Sequence, residues 1–66
     1  MSLLDFFQAL DNDNAVITIL DSDNTELVKV YASGSSQLLA TLLARTVGSF
    51  KVTSPTAITV TLGVEN

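Results

Sequence analysis

The stretch that most constrains this chain is 35–47, Ser-Ser-Gln-Leu-Leu-Ala-Thr-Leu-Leu-Ala-Arg-Thr-Val. Wound as an α-helix at about 100° per residue, it places Leu38, Leu39, Leu42, Leu43 and Val47 on one arc. Ala40 and Ala44 widen that arc, and only Gln37, Thr41 and Arg45 hold a clearly polar side. Contact with a single surface needs a narrower stripe. The pattern therefore predicts a helix over 35–47, covered by a sheet and by something more, with the rest of the fold wrapped around it.

Length limits what can cover such a helix. A chain of 66 residues buries only about 60% of the surface its unfolded form exposes. Domains of this size usually add disulfides, a metal or a partner subunit. There is no Cys and no His, which removes disulfides and the two best transition-metal ligands. The chain is 47% hydrophobic and only 15% charged, against a usual charged share of about 25%. So small and apolar a domain cannot hide all of its Leu, Ile, Val and Phe. Self-association, as a homodimer, is the expected outcome.

The remaining elements follow from local pattern. Residues 2–10 read as a short helix with Ser2 as N-cap and Asp5 completing a capping box. Leu3, Leu4, Phe6, Phe7 and Leu10 share one arc, which predicts a lid on the core. Asp11-Asn-Asp-Asn14 is loop chemistry. Residues 15–20 are almost wholly apolar and predict a strand near the middle of a sheet. Asp21-Ser-Asp-Asn24 turns the chain into a returning strand over 25–32. Pairing Leu20 with Thr25 would set Ile17 opposite Val28 on one face. Val16, Thr18, Leu27, Lys29 and Tyr31 would then lie on the other. Ser33-Gly34-Ser35 would start the long helix and Gly48 would follow its last residue. Residues 49–54 and 57–64 alternate cleanly, with Ser54-Pro55-Thr56 as the hairpin loop. Glu65 and Asn66 are left as a tail.

The order is α-β-β-α-β-β in one α+β domain over residues 1–66, with no linker or second domain. The expected architecture is a single four-stranded, mostly antiparallel sheet with two helices packed on one face. The strand over 15–20 and one strand of the second hairpin should lie in the middle.

Chemistry is sparse. General acid–base catalysis at neutral pH uses His, or a carboxylate in an apolar pocket. Here there is no His, and the acids fall in turns. Ser and Thr occupy caps, turns and alternating strand positions, without a base beside them. The expectation is a non-enzymatic protein with no cofactor. Asp11-x-Asp13 and Asp21-x-Asp23 resemble the start of a calcium loop, which needs Gly sixth and Glu twelfth. Counted from Asp11 those positions hold Val16 and Ser22; counted from Asp21 they hold Glu26 and Ala32. Both fail, and solvated turn acids are the simpler reading. Glycines at 34, 48 and 63 form no phosphate loop.

Three Lys and Arg against seven Asp and Glu give a net charge of −4, a poor basis for binding polyanions. Weak nucleic-acid binding would rest on Lys29, Tyr31 and Lys51 on a helix-free sheet face. The acids could alternatively act as a DNA mimic. No apolar run is long enough to cross a membrane, and the N-terminus lacks the basic region of a signal peptide. Absence of Cys fits a reducing cytoplasm. The size and style are those of small accessory proteins of bacteria and their phages, with no motif that carries a family likeness. The predicted function is self-association together with binding of another protein. Val16, Leu27, Tyr31, Leu39 and Leu43 are the candidate self-association residues.

Overall fold

Ser2 starts the first element. Its hydroxyl accepts the Asp5 N–H at 3.1 Å, and the Asp5 carboxylate accepts the Ser2 N–H. This reciprocal capping box satisfies two donors that a helix start otherwise leaves open. It begins α1 (Leu3–Ala9). Leu3, Phe6 and Phe7 are buried, while Asp5 and Gln8 face out. The computed structural model describes residues 1–11 and 14–64. Part of the Asp11–Asn14 loop, and with it the Asp11-x-Asp13 pattern, lies outside those residues, as do Glu65 and Asn66.

The strands are β1 (Val16–Leu20), β2 (Glu26–Tyr31), β3 (Val47–Ser54) and β4 (Ala57–Leu62). They form one sheet in the order β2-β1-β4-β3, so β1 and one strand of the second hairpin occupy the middle, as the apolar pattern of residues 15–20 predicts. Ala15, Ile17 and Ile19 from the first hairpin meet Val60 and Leu62 from the second. Together with Leu3, Phe6, Phe7 and Ala32 they make a single core cluster. Its layer is α1 above β1 and β4. Phe6 also reaches β3, with ring centroids 5.5 Å from Phe50.

Two hairpins are antiparallel, but β1 and β4 pair in parallel. The sheet is therefore mixed rather than mostly antiparallel. The cause is the crossover through residues 32–46. It carries the chain from the end of edge strand β2 to the start of edge strand β3, so these two run the same way. Each inner strand is antiparallel to its hairpin mate, and β1 and β4 must then run alike.

The crossover also corrects the central expectation. No continuous helix spans 35–47. Ala32–Gln37 forms a 3-10 segment, Leu38 and Leu39 are extended, and only α2 (Ala40–Leu43) is α-helical. Both ends are pinned by the sheet. The Ala32 N–H donates to the Ala15 carbonyl at 2.8 Å. The Arg45 carbonyl accepts from Leu3, the Thr46 carbonyl accepts from Gly63, and the Val47 N–H donates to Met1. Residues 45–47 are thus committed to ladder bonding and cannot remain helical. Upstream, Ser33, Gly34, Ser35 and Ser36 have side chains and backbone freedom that compete with a helix. With α1 already over the core, Leu38, Leu42 and Leu43 are the leucines of this stretch that still pack against it, and α2 buries no residue.

Gly48 is consequently not a helix terminator. It is the extra residue of a bulge in β3, between Val47 and Ser49. A Cβ there would lie 3.2 Å from the Gly63 Cα and 3.3 Å from the Thr61 carbonyl oxygen, so backbone proximity favours Gly.

Truncating Leu3, which is fully buried, should cost about 2–5 kcal/mol as Leu3→Ala. Urea unfolding monitored by circular dichroism measures this. A loss below about 1 kcal/mol would show that α1 is not part of the cooperative core.

Candidate functional site

The first hairpin closes at Asp21 and Thr25. The Asp21 N–H donates to the Thr25 carbonyl, and the Asn24 N–H donates to the Asp21 carbonyl. Asn24 takes φ of 69°, a left-handed conformation that Asn tolerates better than most residues. Register then runs Ile17 with Val30, Thr18 with Lys29 and Ile19 with Val28. This is two residues away from the pairing expected by setting Leu20 against Thr25. A shift of two keeps faces unchanged, so Val28 and Val30 stay on the core side.

Leu27 is the exception. Leu20 pairs with Glu26 and Ile19 with Val28, leaving Leu27 as the extra residue of a bulge. Bulges re-aim side chains. Leu27 is not on the helix-free face with Val16 and Tyr31. It lines an open groove of about 340 Å³ with Leu39, Thr41, Leu42 and Arg45, between β2 and α2. The candidate self-association residues therefore divide. Val16 and Tyr31 are cross-strand partners and share a smaller depression of about 280 Å³ with Lys29 and Val30. Leu27 and Leu39 belong to the α2 groove. Leu43 is half-buried against the core.

On the helix-free face the ladders set Lys29, Thr18, Thr59 and Lys51 in one row across all four strands. Tyr31 stands one row above, beside Val16, and Glu26 one row below, beside Leu20. The three residues named for nucleic-acid contact do share a face. The same lysines stand mid-way along the two edge strands, whose ladders are further interrupted by bulges beside Leu27, Gly48 and Thr53. A central Lys and a bulge both discourage another strand from adding to an edge.

Arg45, the third cation, is engaged elsewhere. Its guanidinium donates to the Asp21 carboxylate at 3.0 Å and to the Gly63 carbonyl at 3.2 Å. Its side chain is only 15% exposed. Asp21 is accordingly more than a solvated turn acid. The Ser22 N–H, at 2.7 Å, and the Arg45 guanidinium hold its carboxyl below the ordinary value of 3.8. Asp23 is lowered as well, by hydrogen bonds from the Thr25 hydroxyl and N–H. Sequence reasoning missed the Arg45–Asp21 pair, because residues 24 apart carry no local signal of contact.

Among the described residues no three acids, Cys or His come together as a metal site, and no helix is long and apolar enough to cross a membrane. Compared with known proteins, the chain matches no described family, no curated protein and no solved structure.

A carboxyl whose folded pKa lies below its unfolded value stabilises the fold above that value, and the contribution is lost as pH falls through the folded pKa. The wild type should therefore lose stability once pH drops below 3.8. Asp21→Asn should be less stable at neutral pH and lose less over that acid window. Thermal unfolding across a pH series tests this; parallel curves for the two proteins would show that the pair contributes nothing.

Proposed function

We propose that this is a small non-enzymatic interaction protein that acts by self-association, as a homodimer, and by binding another protein. One observation carries the reading. Among the described residues the core buries nine apolar side chains, while eight large ones remain exposed: Met1, Leu4, Leu27, Tyr31, Leu39, Phe50, Val52 and Val64. Helical cover over the sheet is partial, because Phe50 and Val52 lie on the core side of β3 and are still more than half exposed. Burying one aliphatic side chain contributes about 1.5–3 kcal/mol, against the roughly 3–5 kcal/mol that a core of this size supplies. Covering a few of these residues in a subunit interface would set the stability of the whole. Blunted edges favour association through a face over strand addition. A cytoplasmic location accords with the lack of Cys.

A second reading, weak nucleic-acid binding, is favoured by the placement of Lys29, Tyr31 and Lys51 on one face. Strand spacing sets the two lysines about 14 Å apart, and Tyr31 offers an exposed ring.

Light scattering behind a sizing column, from high to low micromolar protein, should give a mass of two chains that falls on dilution. A 7.0 kDa particle at every concentration would refute self-association. Anisotropy of a labelled single-stranded oligonucleotide should stay unchanged on adding protein. A rise abolished by added salt would establish the second reading instead.

A further inference from the structure

Isoleucine meets isoleucine and threonine meets threonine where β1 lies beside β4. The parallel register sets Ile17 beside Ile58, Thr18 beside Thr59 and Ile19 beside Val60, with Val16 beside Ala57. Leu20 beside Thr61 is the one unlike pair. Two segments distant in sequence thus stack like on like and in step. Identical chains adopt that arrangement in a parallel cross-β stack. Both segments also have the composition for it. Residues 15–20 (Ala-Val-Ile-Thr-Ile-Leu) and 57–62 (Ala-Ile-Thr-Val-Thr-Leu) hold no charge, no Gly and no Pro, and most of their residues are β-branched.

From this we infer that the β1–β4 pair is a template on which further copies of this chain add their own 15–20 and 57–62 segments, parallel and in register, as a cross-β fibril. In the folded molecule both sides of the pair are occupied, β1 by β2 and β4 by β3. Strand charge is confined to these two covers, with Glu26 and Lys29 on β2 and Lys51 on β3. In an in-register stack each of these would stand about 4.8 Å from its own copy, a like-charge contact that opposes stacking. The inner strands carry nothing that repels in this way. Local opening of an outer strand therefore exposes the template. A net charge of −4 keeps copies apart at neutral pH, and that repulsion fades near the isoelectric point of about 4.1. The inference is separate from the homodimer reading, which concerns side chains exposed on the folded molecule.

The test shakes the full-length protein near pH 4.1 and follows thioflavin fluorescence and fibre diffraction. Wild type should give, after a lag, fibrils with a spacing of about 4.7–4.8 Å and a protease-resistant core that contains both segments. Leu3→Ala loosens α1 over the inner strands and should shorten the lag about fivefold or more. Thr59→Lys puts a charge inside one segment. Thr41→Lys makes the same charge change at an exposed crossover position. The first should lengthen the lag about fivefold or more relative to the second, although any loss of native stability at Thr59 would act the other way. Equal lags for these two variants would overturn the template. So would the absence of fibrils, or a resistant core drawn from residues 32–46. With the isoleucine carbonyls isotopically labelled, solid-state magnetic resonance should place equivalent carbons of neighbouring copies about 4.8 Å apart; the longer separations of an antiparallel stack would overturn the parallel register.

Discussion

The fold depends on the three residues 45–47. Their backbone bonds to the chain's first residues on one side, through Leu3 and Met1, and to Gly63 on the other. The Arg45 side chain then ties the same point to the Asp21 turn and to the Gly63 carbonyl. One short segment thereby joins α1, the first hairpin and the end of β4. These contacts join residues between 17 and 46 positions apart in sequence. That long-range closure holds α1 over the inner strands, where most of the buried apolar side chains lie. It also ends α2 and starts β3.

The closure has consequences for surface. Because 45–47 leave the helix, the crossover keeps only a 3-10 segment and one α-turn, and neither shields β3 or the rim beside β2. Apolar side chains remain outside at both places. The edges are handled differently. Lys29 and Lys51, each in the middle of an edge strand and each accompanied by bulges, make strand addition unfavourable. The molecule is thus guarded along its edges and open on parts of its faces. This combination suits discrete association better than fibrous stacking. It also gives the two lysines a structural reason to exist without any nucleic acid.

Much of the architecture was legible from local pattern. Ser2 and Asp5 announce α1 and its cap, since the capping box is complete within four residues. The alternation in 49–54 and 57–64 gives the two strands of the second hairpin. The almost wholly apolar run of 15–20 marks an inner strand. Legibility ended where distant partners decide the outcome. The Leu arc of 38–47 satisfies helical periodicity, but periodicity cannot know that Thr46 and Val47 have ladder partners waiting at Gly63 and Met1. The first hairpin's register slipped by two, one residue because the turn closes at Asp21 and Thr25 with Asn24 left-handed, and one at the bulge beside Leu27. The bulge at Leu27 then moved one candidate residue to the opposite side of the sheet. Of the candidate surface, Val16 and Tyr31 were placed correctly together, whereas Leu27 found its neighbours only in three dimensions.

Sequence alone determined the element order, the capped first helix, the identity of the inner strand and the excess of apolar over charged side chains. Each of these is a property of neighbouring residues or of composition, and so needs no knowledge of where the chain goes next. Only the tertiary structure decided that the inner strands run parallel, that the long leucine stretch breaks, and that Arg45 pairs with Asp21. Those outcomes come from contacts between residues far apart in the chain. Such contacts outweigh helical propensity, which contributes a few tenths of a kcal/mol per residue for most residue types, once backbone hydrogen bonds and a buried core compete for the same segment.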